Sequence, residues 1–247
     1  MKKYFKKLSC ALLTFVMVLA MTPLGVSAAD ISYEKSSVIY FSGSNNYNSL
    51  YIGDISSKQK IAKSSVKVSG SAIKLQALDK NSWSNQSEYF TTGVKPSSYS
   101  GNTYYIRYQI KKTGNAKISF KVGSKTYTST VKILPYTNPL SKLTVTGVKG
   151  NLASKFKKSG SATAKVSKAQ KNATIQCKAA KNWKITSITY NDNVKKLYRN
   201  INSQNGVGVA SLSLSIGSLS AKSGNYLNVN LYNTQTHGYV NCTLELN

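Results

Sequence analysis

The sequence predicts an all-β protein that forms two β-sandwiches behind a secretion signal. Beyond residue 29, helical periodicity is almost absent, and short alternating runs of β-branched and aromatic residues recur between Gly, Asn and Ser clusters. About seven or eight such runs occur per hundred residues, a density typical of β-sandwiches. A Pro-bounded polar stretch near the middle of the chain separates the two sets of runs.

Residues 1–29 have the three parts of a secretory signal peptide. Four lysines precede an apolar run from Ala11 to Met21, and Val26-Ser27-Ala28 supplies the small residues of a cleavage site. The run is too short for a spanning helix, and no second apolar stretch of about 18 residues follows, so no transmembrane segment is expected. We therefore predict a secreted protein, extracellular or associated with the cell surface.

The exported part divides at "ILPYTNPLSKL". There Pro135 and Pro139 bracket a short polar stretch between two strand-like runs. The predicted organisation is a first sandwich over 30–135, a linker over 136–139 and a second sandwich over 140–247. Each half has about a hundred residues, enough to bury somewhat more than 60% of its unfolded surface.

The strands of the first half are predicted from seven runs: "VIYFS", "LYIGDI", "SVKVSG", "AIKLQAL", "YYIRYQIKK", "AKISFKVG" and "TYTSTVKIL". Gly123-Ser124 joins the last two, and a glycine there supplies the positive φ of a primed hairpin turn. The second half offers eight runs: "LTVTGV", "SATAKVS", "ATIQCKA", "KITSITY", "NVKKLYRNI", "ASLSLSI", "YLNVNLYN" and "YVNCTLEL". In "ASLSLSI", Leu212, Leu214 and Ile216 share one face, so this strand is expected to bury one face and expose the other.

Two cysteines, Cys177 and Cys242, remain after the predicted cleavage, because Cys10 belongs to the signal peptide. Strand alternation places Cys177 beside Ile175, and Cys242 beside Val240, on inward faces. An even cysteine count in an oxidising compartment predicts one disulfide between them, with free thiols as the alternative if the host does not oxidise exported proteins.

The residues Cys177, Trp183, Tyr239 and Cys242 occur in the order found in immunoglobulin domains, which the second half resembles. The resemblance implies that Trp183 and Tyr239 lie in the core near the disulfide. The spacing differs from antibody domains, since only five residues follow Cys242 and it would lie on the last strand.

A closer resemblance is to the bacterial immunoglobulin-like domains, group 2 type, of exported surface proteins of Gram-positive bacteria. The stretch "YYIRYQIKKTGNAKISFKVGSKTYTSTVKIL" is similar to their closing strands, and "NPLSKLTVTG" and "KNWKITSITY" are similar to a domain often found beside them. This resemblance implies a module for adhesion, display or spacing, with no catalytic residues.

Catalytic and metal-binding patterns are missing from the sequence. His237 is the single histidine, whereas metal sites need three or four converging ligands. There is no "GxSxG" motif, and the carboxylates are scattered, so neither a nucleophile nor an acid–base pair is evident. We predict no cofactor and no enzymatic activity, with an accessory module or weak hydrolase acting on extracellular glycans as the alternative.

Charge is the strongest compositional signal. The chain has 34 basic residues, which fall to 30 when the four signal-peptide lysines are removed, against 7 acidic ones, so the exported net charge is near +23. Such a surface favours polyanions, although a dispersed charge also simply keeps an exported protein soluble. The densest basic segment, "ASKFKKSGSATAKVSKAQK", forms either a polyanion-binding edge or a charged edge strand that resists aggregation. Its candidate residues are Lys155, Lys157, Lys158, Lys165 and Lys168.

Tyrosines are the second binding signal, with 17 of them against 6 phenylalanines. Aromatic rings among Asn and Ser suit stacking on sugars and adaptable protein contacts, although core or strand-end positions are the alternative for each ring. The candidates in or beside polar loops are Tyr47, Tyr51, Trp83, Tyr89, Tyr99 and Tyr104. The expected partner is an anionic cell-wall polymer, an extracellular glycan or a surface protein. Nucleic acid is not expected, because the chain is exported and has only two arginines.

Overall fold

The computed structural model describes residues 31–43, 47–84, 100–193, 195–203, 207–221 and 224–247. The predicted signal peptide lies outside the described residues, as do Tyr89, Tyr99 and the side chain of Trp83.

The first sandwich consists of a pair of four-stranded sheets. One has the order β1-β3-β6-β5 and the other β2-β8-β7-β4. Their bounds are β1 (Ser32–Tyr33), β2 (Ser36–Phe41), β3 (Tyr47–Ser56), β4 (Lys67–Ser69), β5 (Ile73–Ser84), β6 (Ser100–Ile110), β7 (Gly114–Val122) and β8 (Lys125–Pro135). Strand β2 runs parallel to β8, whereas the other neighbours are antiparallel.

The second sandwich packs a five-stranded sheet, β10-β16-β15-β12-β13, against a three-stranded sheet, β14-β11-β9. Its bounds are β9 (Leu140–Val145), β10 (Ser161–Ala164), β11 (Gln170–Ala179), β12 (Trp183–Asp192), β13 (Leu197–Asn202), β14 (Ser211–Leu219), β15 (Asn225–Asn233) and β16 (Tyr239–Leu246). A 3₁₀ helix, Leu152–Phe156, precedes the edge strand β10, which is parallel to β16.

The order of the strands makes both sandwiches immunoglobulin-like. Such domains pair strands A, B, E and D in one sheet and C, F and G in the other. In the first sandwich β1-β3-β6-β5 has the A-B-E-D order, and β4-β7-β8 has the C-F-G order. In the second, β9-β11-β14 is A-B-E and β12-β15-β16 is C-F-G, with β13 transferred beside β12. The predicted all-β class is therefore confirmed.

Strand alternation builds the two cores. In β15, Leu227, Val229 and Leu231 are buried while the asparagines between them are half-buried on the outer face. The predicted hairpin is also confirmed, because Val122 pairs with Lys125 and Gly123 has a φ of +61°. The sequence missed β1, since two residues are too few to show alternation.

The apolar residues form two separate clusters, one spanning residues 31–133 and the other residues 140–246. The stretch 136–139 between them is packed rather than free. Tyr136 contacts the second cluster, and Asn138 accepts a bond from the Leu140 N–H while donating to the Ala153 carbonyl.

Candidate functional site

Cys177 and Cys242 are free, buried thiols in the structure, which corresponds to the alternative to the predicted disulfide. Cys177 lies on β11 and Cys242 on β16, in facing sheets. An even count of cysteines specifies neither the distance nor the orientation that a disulfide needs. Burial raises the pKa of each thiol to about 12, so both remain protonated at neutral pH.

The two aromatic residues assigned to the core have different positions. Trp183 is 5% exposed, and its ring lies 5.0 Å from that of Tyr40, in the first sandwich. Tyr239 is 65% exposed, so the core position predicted for it is wrong. The reason is strand periodicity: Val240 and Cys242 face inward on β16, which forces Tyr239 to the outer face.

The tyrosines predicted as candidates for ligand binding also occupy both exposed and buried positions. Tyr47 and Tyr51 lie on the outer face of β3, with 64% and 48% of their surface exposed. Tyr104 is 3% exposed, so it occupies the core position that was the alternative for each ring and not an exposed binding position. Strand β6 already begins at Ser100, and register places Tyr104 opposite Ile52 in the middle of the sheet.

Tyr51 has an aromatic neighbour that the sequence did not single out. The Tyr105 ring meets it edge to face at 5.6 Å, and the two residues are paired across β3 and β6. A Cβ at Gly53 would lie 2.7 Å from the Tyr51 hydroxyl, so glycine makes room for the ring. Beside this pair, Arg107 forms an ion pair with Asp79 at 2.5 Å.

The basic segment forms a firmly supported edge of the second sandwich. Phe156 is 0% exposed and holds the 3₁₀ helix against the core. Asn151 secures the start of this helix, since its Oδ1 accepts bonds from the N–H groups of Ala153 and Leu143. We call the five exposed lysines on and after this helix the lysine edge: Lys155, Lys157, Lys158, Lys165 and Lys168.

The lysines of the edge form no ion pair with the described acidic residues. In the described part of the protein, Arg107–Asp79 is the one ion pair, so none of the five ammonium groups forms an ion pair with a described carboxylate. Glu245 lies on β16, opposite Thr163 of β10. Their neighbour β10 is an edge strand, as predicted. Lysines there also oppose edge-to-edge aggregation, so this geometry is compatible with both predicted roles.

The groups that could support chemistry are dispersed. Among the described residues, no three His, Cys, Asp or Glu side chains come together as a metal site would require. His237, at a φ of +60°, hydrogen-bonds through Nδ1 to the Tyr232 hydroxyl. No described helix is both long and apolar enough to cross a membrane.

No protein-family model and no curated protein matches the sequence. Among solved structures, the chain is similar to tandem Ig repeats of Dlar, with 12% identity, 88% of this chain and 95% of that chain covered, and a TM-score of 0.29. The Yersinia pseudotuberculosis adhesin InvE has 11% identity, with 90% of this chain and 60% of that chain covered and a TM-score of 0.22. SGBP-B of the Bacteroides ovatus mixed-linkage glucan utilization locus, in complex with a mixed-linkage heptasaccharide, has 11% identity, with 87% of this chain and 44% of that chain covered and a TM-score of 0.20. These TM-scores are below 0.5, so the immunoglobulin-like assignment rests on the strand order alone.

Proposed function

We propose that this chain is an exported, non-catalytic adhesion or spacer module that binds an anionic extracellular polymer through the lysine edge. The observation that supports the proposal is the edge itself: five exposed lysines on a packed support, with no acidic partner among the described residues. The relationship to Gram-positive group 2 domains, and with it the choice of a cell-wall polymer as the partner, remains a prediction from the sequence.

The chemistry of lysine indicates the class of polymer. An ammonium group is a compact, strongly hydrated point charge, without the bidentate fork by which arginine recognises single phosphates or carboxylates. A row of such charges suits a flexible chain with regularly spaced phosphodiesters or carboxylates. Because the exported part of the chain carries a net charge near +23, its field also attracts that polymer before contact.

The support under the lysines also matters for binding. Phe156 and Leu152 are buried in the second core, so the backbone that carries Lys155 and Lys157 is already ordered. Binding then costs mainly the side-chain entropy of the lysines, which lowers the total penalty of association. A disordered basic tail would have to order its backbone as well.

The test is binding of residues 30–247 to purified Gram-positive walls, with and without their anionic polymers, at about 50 and 200 mM salt. We expect binding that needs the polymer and weakens strongly at the higher salt, because screening separates exposed charges. Binding that is indifferent to both polymer and salt would contradict the proposal, and so would the absence of binding in every condition.

A further inference from the structure

A cleft lies where the two sandwiches meet. Its volume is about 410 Å³, within the range of roughly 300–1,000 Å³ typical of ligand pockets. Strands β2 and β3 supply one wall and β16 the other. Four tyrosines line it: Tyr40, Tyr47, Tyr136 and Tyr239.

The walls of the cleft are held together by direct contacts across the joint. The Tyr40 hydroxyl hydrogen-bonds to Thr236, and the Tyr40 ring packs on Trp183. Gly238 lies so close to Val38 and Tyr40 that an added Cβ would stand 2.9 Å from both side chains. The cleft is therefore preformed, which reduces the entropic cost of binding a ligand.

The cleft differs in charge from the rest of this basic protein. None of the described residues that line it is charged. A smaller cavity of about 150 Å³ shares Val38, Ile39, Asn48 and Tyr239 with it, and there Glu34 is the one charged residue of the described lining. An anionic polymer suited to the lysine edge thus finds no cation here, which indicates a neutral ligand.

The unused polar groups indicate what kind of neutral ligand. Tyr47 and Tyr239 present exposed rings, and in the described part of the chain neither the side chain of Asn241 nor the Nδ2 of Asn48 has an intramolecular hydrogen-bond partner. Aromatic faces beside amide groups match the apolar faces and hydroxyls of a sugar ring.

The surface that continues from the cleft has the same character. On the outer face of the five-stranded sheet Asn241 lies opposite Asn230, which donates to the Ser187 hydroxyl at 2.8 Å. The next row continues this pattern with a bond of 2.8 Å from Thr243 to Asn228. These rows of uncharged amides and hydroxyls extend the cleft and favour an oligosaccharide over a single sugar.

We infer that this cleft is a binding site for a neutral oligosaccharide, separate from the lysine edge. A proline-rich peptide also packs on tyrosines. The continuing amide and hydroxyl rows favour the saccharide, whose hydroxyls are spread over both sides of each ring.

The test is titration of residues 30–247 with neutral hexasaccharides of glucose and of N-acetylglucosamine, followed by amide NMR shifts and calorimetry. We expect at least one of them to shift resonances of β2, β3 and β16, with an affinity equal at about 50 and 200 mM salt. Tyr239→Ala and Tyr47→Ala should each weaken binding roughly three- to tenfold, the size of one aromatic contact.

Tyr198→Ala is the matched control, because Tyr198 is similarly exposed but lies on β13, away from the cleft. It should leave the affinity unchanged, as should replacement of the lysine edge by glutamine, which separates this site from the proposed polyanion surface. The inference is overturned if neither hexasaccharide binds, if Tyr239→Ala and Tyr198→Ala behave alike, or if a proline-rich peptide binds the cleft instead.

Discussion

Replacing Phe156 by alanine tests whether the lysine edge is built on the second core. Phe156 is fully buried in the cluster that includes Leu152 and Trp183. Losing a buried phenylalanine removes its transfer free energy and leaves a cavity, together about 3–5 kcal/mol. That is a large part of the roughly 5–15 kcal/mol that stabilises an ordinary domain.

The assay is urea unfolding monitored by the fluorescence of Trp183, in a Trp83→Phe background so that one tryptophan reports. We expect the transition of the second sandwich to move to lower urea by the equivalent of about 3–5 kcal/mol, with an unchanged slope. Tyr198→Ala, an exposed aromatic truncation in the same sandwich, should change stability by less than about 0.5 kcal/mol. A loss below about 1 kcal/mol for Phe156→Ala would refute the reasoning, because a side chain that stabilises so little does not support the edge.

Three further predictions concern buried groups. Tyr190→Phe removes a hydroxyl that donates to Asn225 Oδ1 at 2.8 Å inside the core, so thermal unfolding should show a loss of about 1–3 kcal/mol, and an unchanged melting temperature would contradict that bond. Cys177 and Cys242 are buried and have thiol pKa values raised to about 12, so they should not react with a thiol reagent at pH 8 in the folded protein. After denaturation two thiols per chain should react. A mass of the intact protein that shows no free thiols would contradict this. Stability should fall as the pH rises above about 9. In the unfolded chain thiols and phenols lose their protons near their ordinary pKa values of 9.0 and 10.0, whereas burial in the folded protein raises the pKa of both cysteines and of Tyr108 to about 12. Melting temperatures that stay level from pH 8 to 11 would argue against this linkage.

Local alternation explains what the sequence could predict. Period-two patterns placed Cys177 and Leu214 correctly on the buried side, because side chains alternate between the two faces of a strand and the face of each follows from the adjacent residues alone. The same rule argues against an inward Tyr239, and the resemblance to antibody domains suggested the opposite. The position of Tyr104 was not predicted, because the residue at which a strand begins depends on pairing with residues that are distant in sequence.

The joint and its cleft were beyond sequence reasoning for a related reason. Tyr40 and Thr236 are 196 positions apart, and nothing in either local pattern indicates that they meet. The state of the two cysteines was beyond the sequence for the same reason, since the number of cysteines does not give the distance between them. The lysine edge was visible as a cluster, but its support by Phe156 and Asn151 depends on packing against β9 and the second core.

The most direct test of the proposed function compares two variants of equal net charge. One replaces the lysine edge by glutamine, and the other replaces five exposed lysines of the first sandwich: Lys58, Lys63, Lys74, Lys117 and Lys132. Affinity for a purified anionic wall polymer at about 50 mM salt should fall at least about tenfold more for the edge variant, since each lysine at an anionic surface contributes roughly 1 kcal/mol. Equal losses for the two variants would mean that the polymer responds only to net charge, and the lysine edge would not be the binding surface.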